Sequence, residues 1–149
     1  MMILIIAPDG WACCLYAESI DLHRLDGTRF AVAAFTNLTD SNVNNGHLLV
    51  APVSHVSGLD GLDEEGTLDL LLTVRRSIEV LKEAMGPEGF NVGLNLGHVA
   101  GAGVEEHMHF HIVPRWKGDT NYMTVLDDVR VIPEHIRETY RKLRPAFMG

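Results

Sequence analysis

Cysteine is scarce in this 149-residue chain: there are two, Cys13 and Cys14, and they are adjacent. Neighbouring residues hold their Cα atoms about 3.8 Å apart, whereas a disulfide wants about 4.4 Å or more. No disulfide framework is expected, and the pair reads as free thiols of a reducing compartment, the cytoplasm. Basic residues are also few, 12 Lys and Arg against 20 Asp and Glu, for a net charge of −8 with His neutral. That balance speaks against life on a nucleic-acid polymer, where affinity comes from neutralising many phosphates at once, but leaves room for a small anion in a local pocket. Long apolar runs are missing. The stretch Met1 to Pro8 has no basic flank and is far short of a membrane span, so neither a signal peptide nor an anchor is expected. What remains is ordinary globular composition, 46% hydrophobic and 21% charged, in a length that suits one domain over residues 1–149.

Punctuation by glycine, proline and acidic residues divides the chain. Arg29 to Phe35 is short, apolar and bounded by polar turns, as a strand would be; His47 to Val53 is a second such run, ending around Pro52. Leu68, Leu71, Leu72, Ile78, Leu81 and Met85 recur at helical spacing and place one helix face over about Asp63 to Met85. The carboxylates Asp63-Glu-Glu65 open it and Gly86-Pro87 close it. Phe90 to Leu96 reads as a strand, Gly97 to Gly103 as a glycine-rich loop, and Glu106 to Val113 as a strand stopped by Pro114. A last helix is expected from near Pro133 to about Leu143. Strands and helices in separate blocks define an α+β domain.

Histidine is where the sequence departs from the ordinary, with eight residues. His107, His109 and His111 alternate with Met108, Phe110 and Ile112, so on a strand the imidazoles share one face and the apolar side chains the other. A solvated sheet face would account for a lone histidine, but three in register point to chemistry, because His has no strand preference and titrates near neutrality. The outer two are four residue rises apart, roughly 13 Å. One zinc ion, which wants nitrogen within about 2.1 Å, cannot use all three. A pair such as His107 and His109 would need ligands from elsewhere. Acid/base and nucleophilic work is the stronger fit: a neutral imidazole attacks phosphorus while a charged one assists the leaving group.

Upstream lies Asn95-Leu-Gly97-His-Val-Ala-Gly101-Ala-Gly103-Val104, three glycines in a short loop feeding the histidine run. Glycines let backbone N–H groups converge on an anion. Trp116 would stack on a base or pack in a core or interface; Arg115 and Lys117 would meet distal phosphates or stand solvated. Glu105 and Glu106 must point away from phosphate or hold a divalent cation. His98 is expected at the surface, and His23, His55 and His135 as structural or exposed.

His107-Met-His109-Phe-His111-Ile-Val113 resembles the signature of the histidine triad family. Asn44 to Pro52, Gly89 to Gly97 and Pro114-Arg-Trp116-Lys-Gly-Asp119 resemble its bacterial branch, related to fragile-histidine-triad hydrolases and diadenosine tetraphosphate phosphorylases. The likeness runs from about Phe30 to Leu143. It implies an α+β fold with a five-stranded antiparallel sheet, a long helix and a C-terminal helix, the sheet continuing across a homodimer. It implies cleavage of dinucleoside polyphosphates through a nucleotidyl-histidine. His109 would be the nucleophile, His111 would meet the leaving group, His107 would orient the nucleophile through its backbone carbonyl, and His47 would complete the site. Asn95, Gly103 and Val104 would contact phosphate. The family's ribose-binding Asn falls on Thr39, where Thr39 itself, Asp40 or Asn42 would have to serve. No cofactor is implied at the nucleophile, and a divalent cation would enter only with the substrate's polyphosphate. Relatives carry a Cys-x-x-Cys zinc knuckle with a histidine at the place of His55; here Cys14-Leu-Tyr-Ala17 lacks the second thiol, so no structural zinc is expected. Phosphoramidate hydrolysis by the same nucleophile, a nucleotide-binding module without turnover, and a metal-dependent hydrolase stay open as alternatives.

Overall fold

A computed structural model describes residues 3–6, 12–15, 20–23, 30–34, 46–100, 102, 105–118 and 136–148. The strands are β1 (Ile3–Ile6), β2 (Ala12–Leu15), β3 (Ile20–His23), β4 (Phe30–Ala34), β5 (Leu48–Pro52), β6 (Gly89–Leu94) and β7 (Phe110–Arg115). The helices are α1 (Glu64–Met85) and α2 (Ile136–Met148), with single 3-10 turns at Leu59–Gly61 and His98–Ala100. Strands β1 and β2 form a separate antiparallel hairpin, and the main sheet has the order β3-β4-β5-β7-β6 with every pairing antiparallel. Among the described residues no helix is long and apolar enough to cross a membrane.

Local chemistry explains the elements that position the site. Every residue of β5 is buried, as a continuous apolar run at the centre of a sheet should be. Asp63 caps α1, its Oδ1 accepting from Gly66 N–H at 2.7 Å, and Glu64 and Glu65 place negative charge at the positive end of the helix dipole. Gly86, in the left-handed conformation, ends the helix with its N–H on Lys82 O at 3.1 Å. α1 packs against β4, β5, β7 and α2. The core gathers Phe30, Val32, Leu48, Val50, Leu70, Val74, Leu81, Met108, Ile112 and Leu143. Each fully buried side chain of this size contributes about 1.5–3 kcal/mol.

The structure corrects four expectations. The buried face of α1 is Gly66, Leu70, Val74, Ser77, Val80 and Leu81, while Leu68, Leu71 and Leu72 are exposed. The helix carries two apolar stripes, and spacing alone does not say which one meets the sheet. β7 begins at Phe110, so of the three histidines only His111 lies within the strand, and Pro114 lies inside it instead of ending it. Beyond Ile112, paired with Leu48, β7 has β6 alone as its ladder partner, and a residue without N–H is tolerated there. α2 continues past Leu143 to Met148 with Pro145 inside its last turn, its end held by Arg76 Nη2 donating to Ala146 O at 2.7 Å. Pro133 lies outside the described residues. Finally, β1, β2 and β3 occupy an N-terminal region where no strand was expected.

Candidate active site

Three histidines, His47, His109 and His111, come together beside β5 and β7, and His107 is fastened at the far end of β5. His47 precedes β5 directly and follows Gly46, whose φ of +80° belongs to the left-handed region and whose missing side chain leaves space that a Cβ would contest with Met85 Sδ at 2.6 Å. This turn delivers His47 to His111, with Nε2 of the first 3.0 Å from Nδ1 of the second. In the sheet His111 stands opposite Leu49 on β5 and Gly93 on β6. The His109 ring meets the His111 ring edge-on, centroids 4.8 Å apart.

The polar contacts assign protons. His109 Nδ1 lies 3.2 Å from the carbonyl of His107, and since only an N–H can donate to a carbonyl, the proton sits on Nδ1. A neutral His109 then carries its lone pair on Nε2. The His107 ring is fully buried and donates from Nε2 to Pro52 O at 2.7 Å, fastening the start of the triad to the end of β5. His107 therefore leaves the open imidazole row that strict alternation implies: the backbone before Phe110 is not strand, so its ring turns inward while His109 and His111 stay half-buried. Met108 and Ile112 do enter the core, as the alternation requires.

Burial moves every one of these imidazoles toward the neutral form. It pushes His47 down to about 3, reinforced by the neighbouring His111 and His109 rings. It pushes His111 down to about 4, with His109 as the second cause. For His109 burial dominates over the opposing effect of the bond to the His107 carbonyl, and the net shift is down. For His107 burial again dominates, opposed by the bond to Pro52 and reinforced by His55 and His109. Neutral rings are therefore favoured beside His109, where a charged one was expected.

The other candidates fall out as follows. Asn95 is half-buried and comes one residue after Leu94, which pairs with Phe110, so it sits beside the strand end that carries His109. Gly97 takes φ +79°, and its carbonyl accepts from the N–H groups of Ala100 at 3.2 Å and Ala102 at 3.3 Å, so these two amides of the loop are turned inward. Glu105, Glu106 and His98 are exposed. Trp116 and Arg115 are half-buried, and the N–H of exposed Lys117 donates to Glu88 Oε2 at 2.7 Å. Thr39, Asp40, Asn42, Gly103, Val104 and His135 lie outside the described residues. One contact escaped sequence reasoning: His55, exposed, places its ring 5.0 Å from that of His107. Its spacing from the triad gives no local signal, since the contact forms only when the chain after β5 folds back. Among the described residues no group of three or more His, Cys, Asp or Glu side chains is arranged to hold a metal ion.

Comparison places this arrangement, an α+β sheet with paired imidazoles where β5 meets β7, within a known family. The HIT domain model matches residues 31–118. This chain belongs to the HIT domain family. It is 45% identical over 100 residues to a protein of Mycobacterium tuberculosis named AP-4-A phosphorylase, an alignment covering 67% of this chain and 51% of that one. It is 39% identical over 88 residues to an uncharacterized HIT-like protein of Methanocaldococcus jannaschii, covering 59% of this chain and 65% of the other. The chain thus spans between half and two thirds of the length of these relatives. Among solved structures, a hypothetical histidine triad nucleotide-binding protein from Sulfolobus tokodaii superposes with a TM-score of 0.61 at 27% identity, over 87% of this chain and 81% of that one.

Proposed function

We propose that this chain cleaves dinucleoside polyphosphates by transferring a nucleotidyl group to His109 and then to an acceptor. The observation that carries this reading is the Nδ1 bond of His109 to the His107 carbonyl, which leaves a lone pair on Nε2 of an imidazole that burial keeps neutral. Nε2 attacks the α-phosphorus, the P–N bond forms, and the bond to the bridging oxygen breaks. The departing polyphosphate takes a proton at the position of His111. Once His111 is protonated on both nitrogens, its Nδ1–H donates to Nε2 of His47, 3.0 Å away, and its Nε2–H is the proton given to the leaving oxygen, which returns the ring to the neutral form. An incoming polyphosphate raises the His111 pKa and so populates this charged form. Water or inorganic phosphate then attacks the phosphoramidate and frees His109.

Asn95 would hold a phosphoryl oxygen, with Gly103 and Val104 supplying backbone N–H groups and Thr39 facing the ribose; a divalent cation would arrive with the polyphosphate. The substrate is a small nucleotide, in keeping with a net charge of −8 that disfavours polymers. The 45% identity to a protein named AP-4-A phosphorylase supports this substrate class.

The same reading has residues 1–149 as one domain acting in the cytoplasm as a homodimer whose sheets join. Two features support the dimer. β6 is an edge strand with Val92 43% exposed, and α1 displays Leu68 at 57% and Leu71 at 56% exposure, apolar area that a second copy would cover.

The test is incubation with diadenosine tetraphosphate with and without inorganic phosphate. ADP and ATP formed only with phosphate identify a phosphorylase; AMP and ATP formed in water identify a hydrolase. No cleavage under either condition removes the proposal.

A further inference from the structure

The carbonyl that accepts the His109 proton belongs to the peptide unit between His107 and Met108, and the other end of that unit is also engaged. Met108 N–H donates to Val56 O at 2.7 Å. A hydrogen bond on the amide side of a peptide strengthens the acceptor on its carbonyl side, because the dipoles polarise one another where water is excluded. His107 and Met108 are both buried, so that condition holds here. The His107 ring adds a third tether, on Pro52 O. The acceptor that sets the His109 tautomer is thus fixed by the segment from Pro52 to Val56.

Val56 in turn rests on the 3-10 turn Leu59–Gly61. A Cβ at Gly61 would lie 2.7 Å from Val56 Cγ1, well inside van der Waals contact. Gly61 is exposed and its φ lies outside the left-handed region, so neither the core nor the backbone conformation calls for glycine there. What the missing side chain permits is the close seat of Val56 on the turn. Val is stiff at χ1, so pressure on Cγ1 reaches its backbone.

We infer that Gly61 and Val56 are positioning residues for His109: the seat of Val56 on the turn sets its carbonyl, and through the His107–Met108 peptide that carbonyl holds the His109 proton on Nδ1. The inference rests on His109 being the nucleophile and extends that reading to residues outside the triad, neither of which is bonded to the imidazole.

Long-range 1H–15N NMR of the imidazoles in the full chain reports the tautomer and titration of His109 without substrate, and turnover of diadenosine tetraphosphate is measured beside it. The wild type shows the Nδ1–H tautomer. Gly61→Ala lowers its population and moves the His109 titration further down, because the bond that raises it is weakened. It also lowers kcat about tenfold with KM within about twofold, the signature of a misplaced reacting group. Val56→Ala combined with Gly61→Ala removes the offending methyl and restores tautomer, titration and kcat. The inference is overturned if Gly61→Ala leaves the His109 tautomer and titration as in the wild type, or if the double variant fails to restore them. If the NMR responses appear while wild-type protein cleaves no dinucleotide, the substrate reading falls and the positioning of His109 by Val56 stands.

Discussion

His47 and His111, 64 residues apart in the chain, share a single hydrogen bond of 3.0 Å between Nε2 and Nδ1. Two half-buried imidazoles so close disfavour each other's charged form, and their titrations are coupled. Burial is the largest cause of the low His47 value and His111 the next, so His111→Asn should raise the His47 titration part of the way, leaving it below 6.5. Imidazole NMR of the variant reads this directly, and an unmoved His47 midpoint would contradict the coupling.

Loss of His109, the proposed nucleophile, should be far more costly than loss of any neighbour. His109→Ala is expected to lower kcat by more than about 10³-fold, as removal of a covalent nucleophile does elsewhere. Wild type incubated with diadenosine tetraphosphate and denatured at alkaline pH, where a phosphoramidate survives, should gain the mass of a nucleotidyl group on the peptide containing His109. The variant should not.

The depressed histidines also dictate the response to acid. Where the folded value lies below the ordinary 6.5, the unfolded chain binds protons that the native chain refuses, and stability rises with pH across the gap. Their contribution is complete above about 6.5 and is lost as pH falls toward the native values of about 4 for His111 and about 3 for His47. Thermal melts should be level above neutrality and decline below it, and His47→Gln should flatten that decline. The proposed kcat/KM should stay level to below pH 6.5, because His109 is shifted in the same direction.

Asp63 offers a change that separates stability from chemistry. Asp63→Ala removes the side-chain cap of α1, which costs about 1 kcal/mol, or about 3 °C in Tm for a chain of this size. Turnover per folded molecule should be unchanged, as assayed at a temperature well below the melt.

The exposed leucines of α1 test the assembly. With the wild type at twice the 16.5 kDa chain mass by light scattering, Leu71→Asp should yield the single-chain mass, because a carboxylate would be buried in the apolar contact. A wild type that scatters as a single chain would remove the dimer from the proposal.

Much of this was legible in the sequence because it is local. Asp63-Glu-Glu65 and Gly86 mark the ends of α1 through backbone groups within one turn, and the structure places them there. The alternation of His107 to Ile112 likewise predicts that Met108 and Ile112 enter the core. What it misplaces is His107, because whether residues 107–109 pair as strand depends on partners far away in sequence. The first pairing of β7 is at Phe110, opposite Val50 and Leu94, and the segment before it is held instead by Pro52 and Val56.

The sequence by itself thus determined the chemistry available: three closely spaced imidazoles, a capped amphipathic helix, and a negative charge that turns the chain toward small ligands. Only the tertiary structure decided which nitrogen of His109 keeps its lone pair, that His47 joins His111, and that Leu70 rather than Leu71 faces the sheet. Spacing along a chain fixes which side chains share a face. Burial and hydrogen bonds between distant segments fix where that face points and where its protons lie.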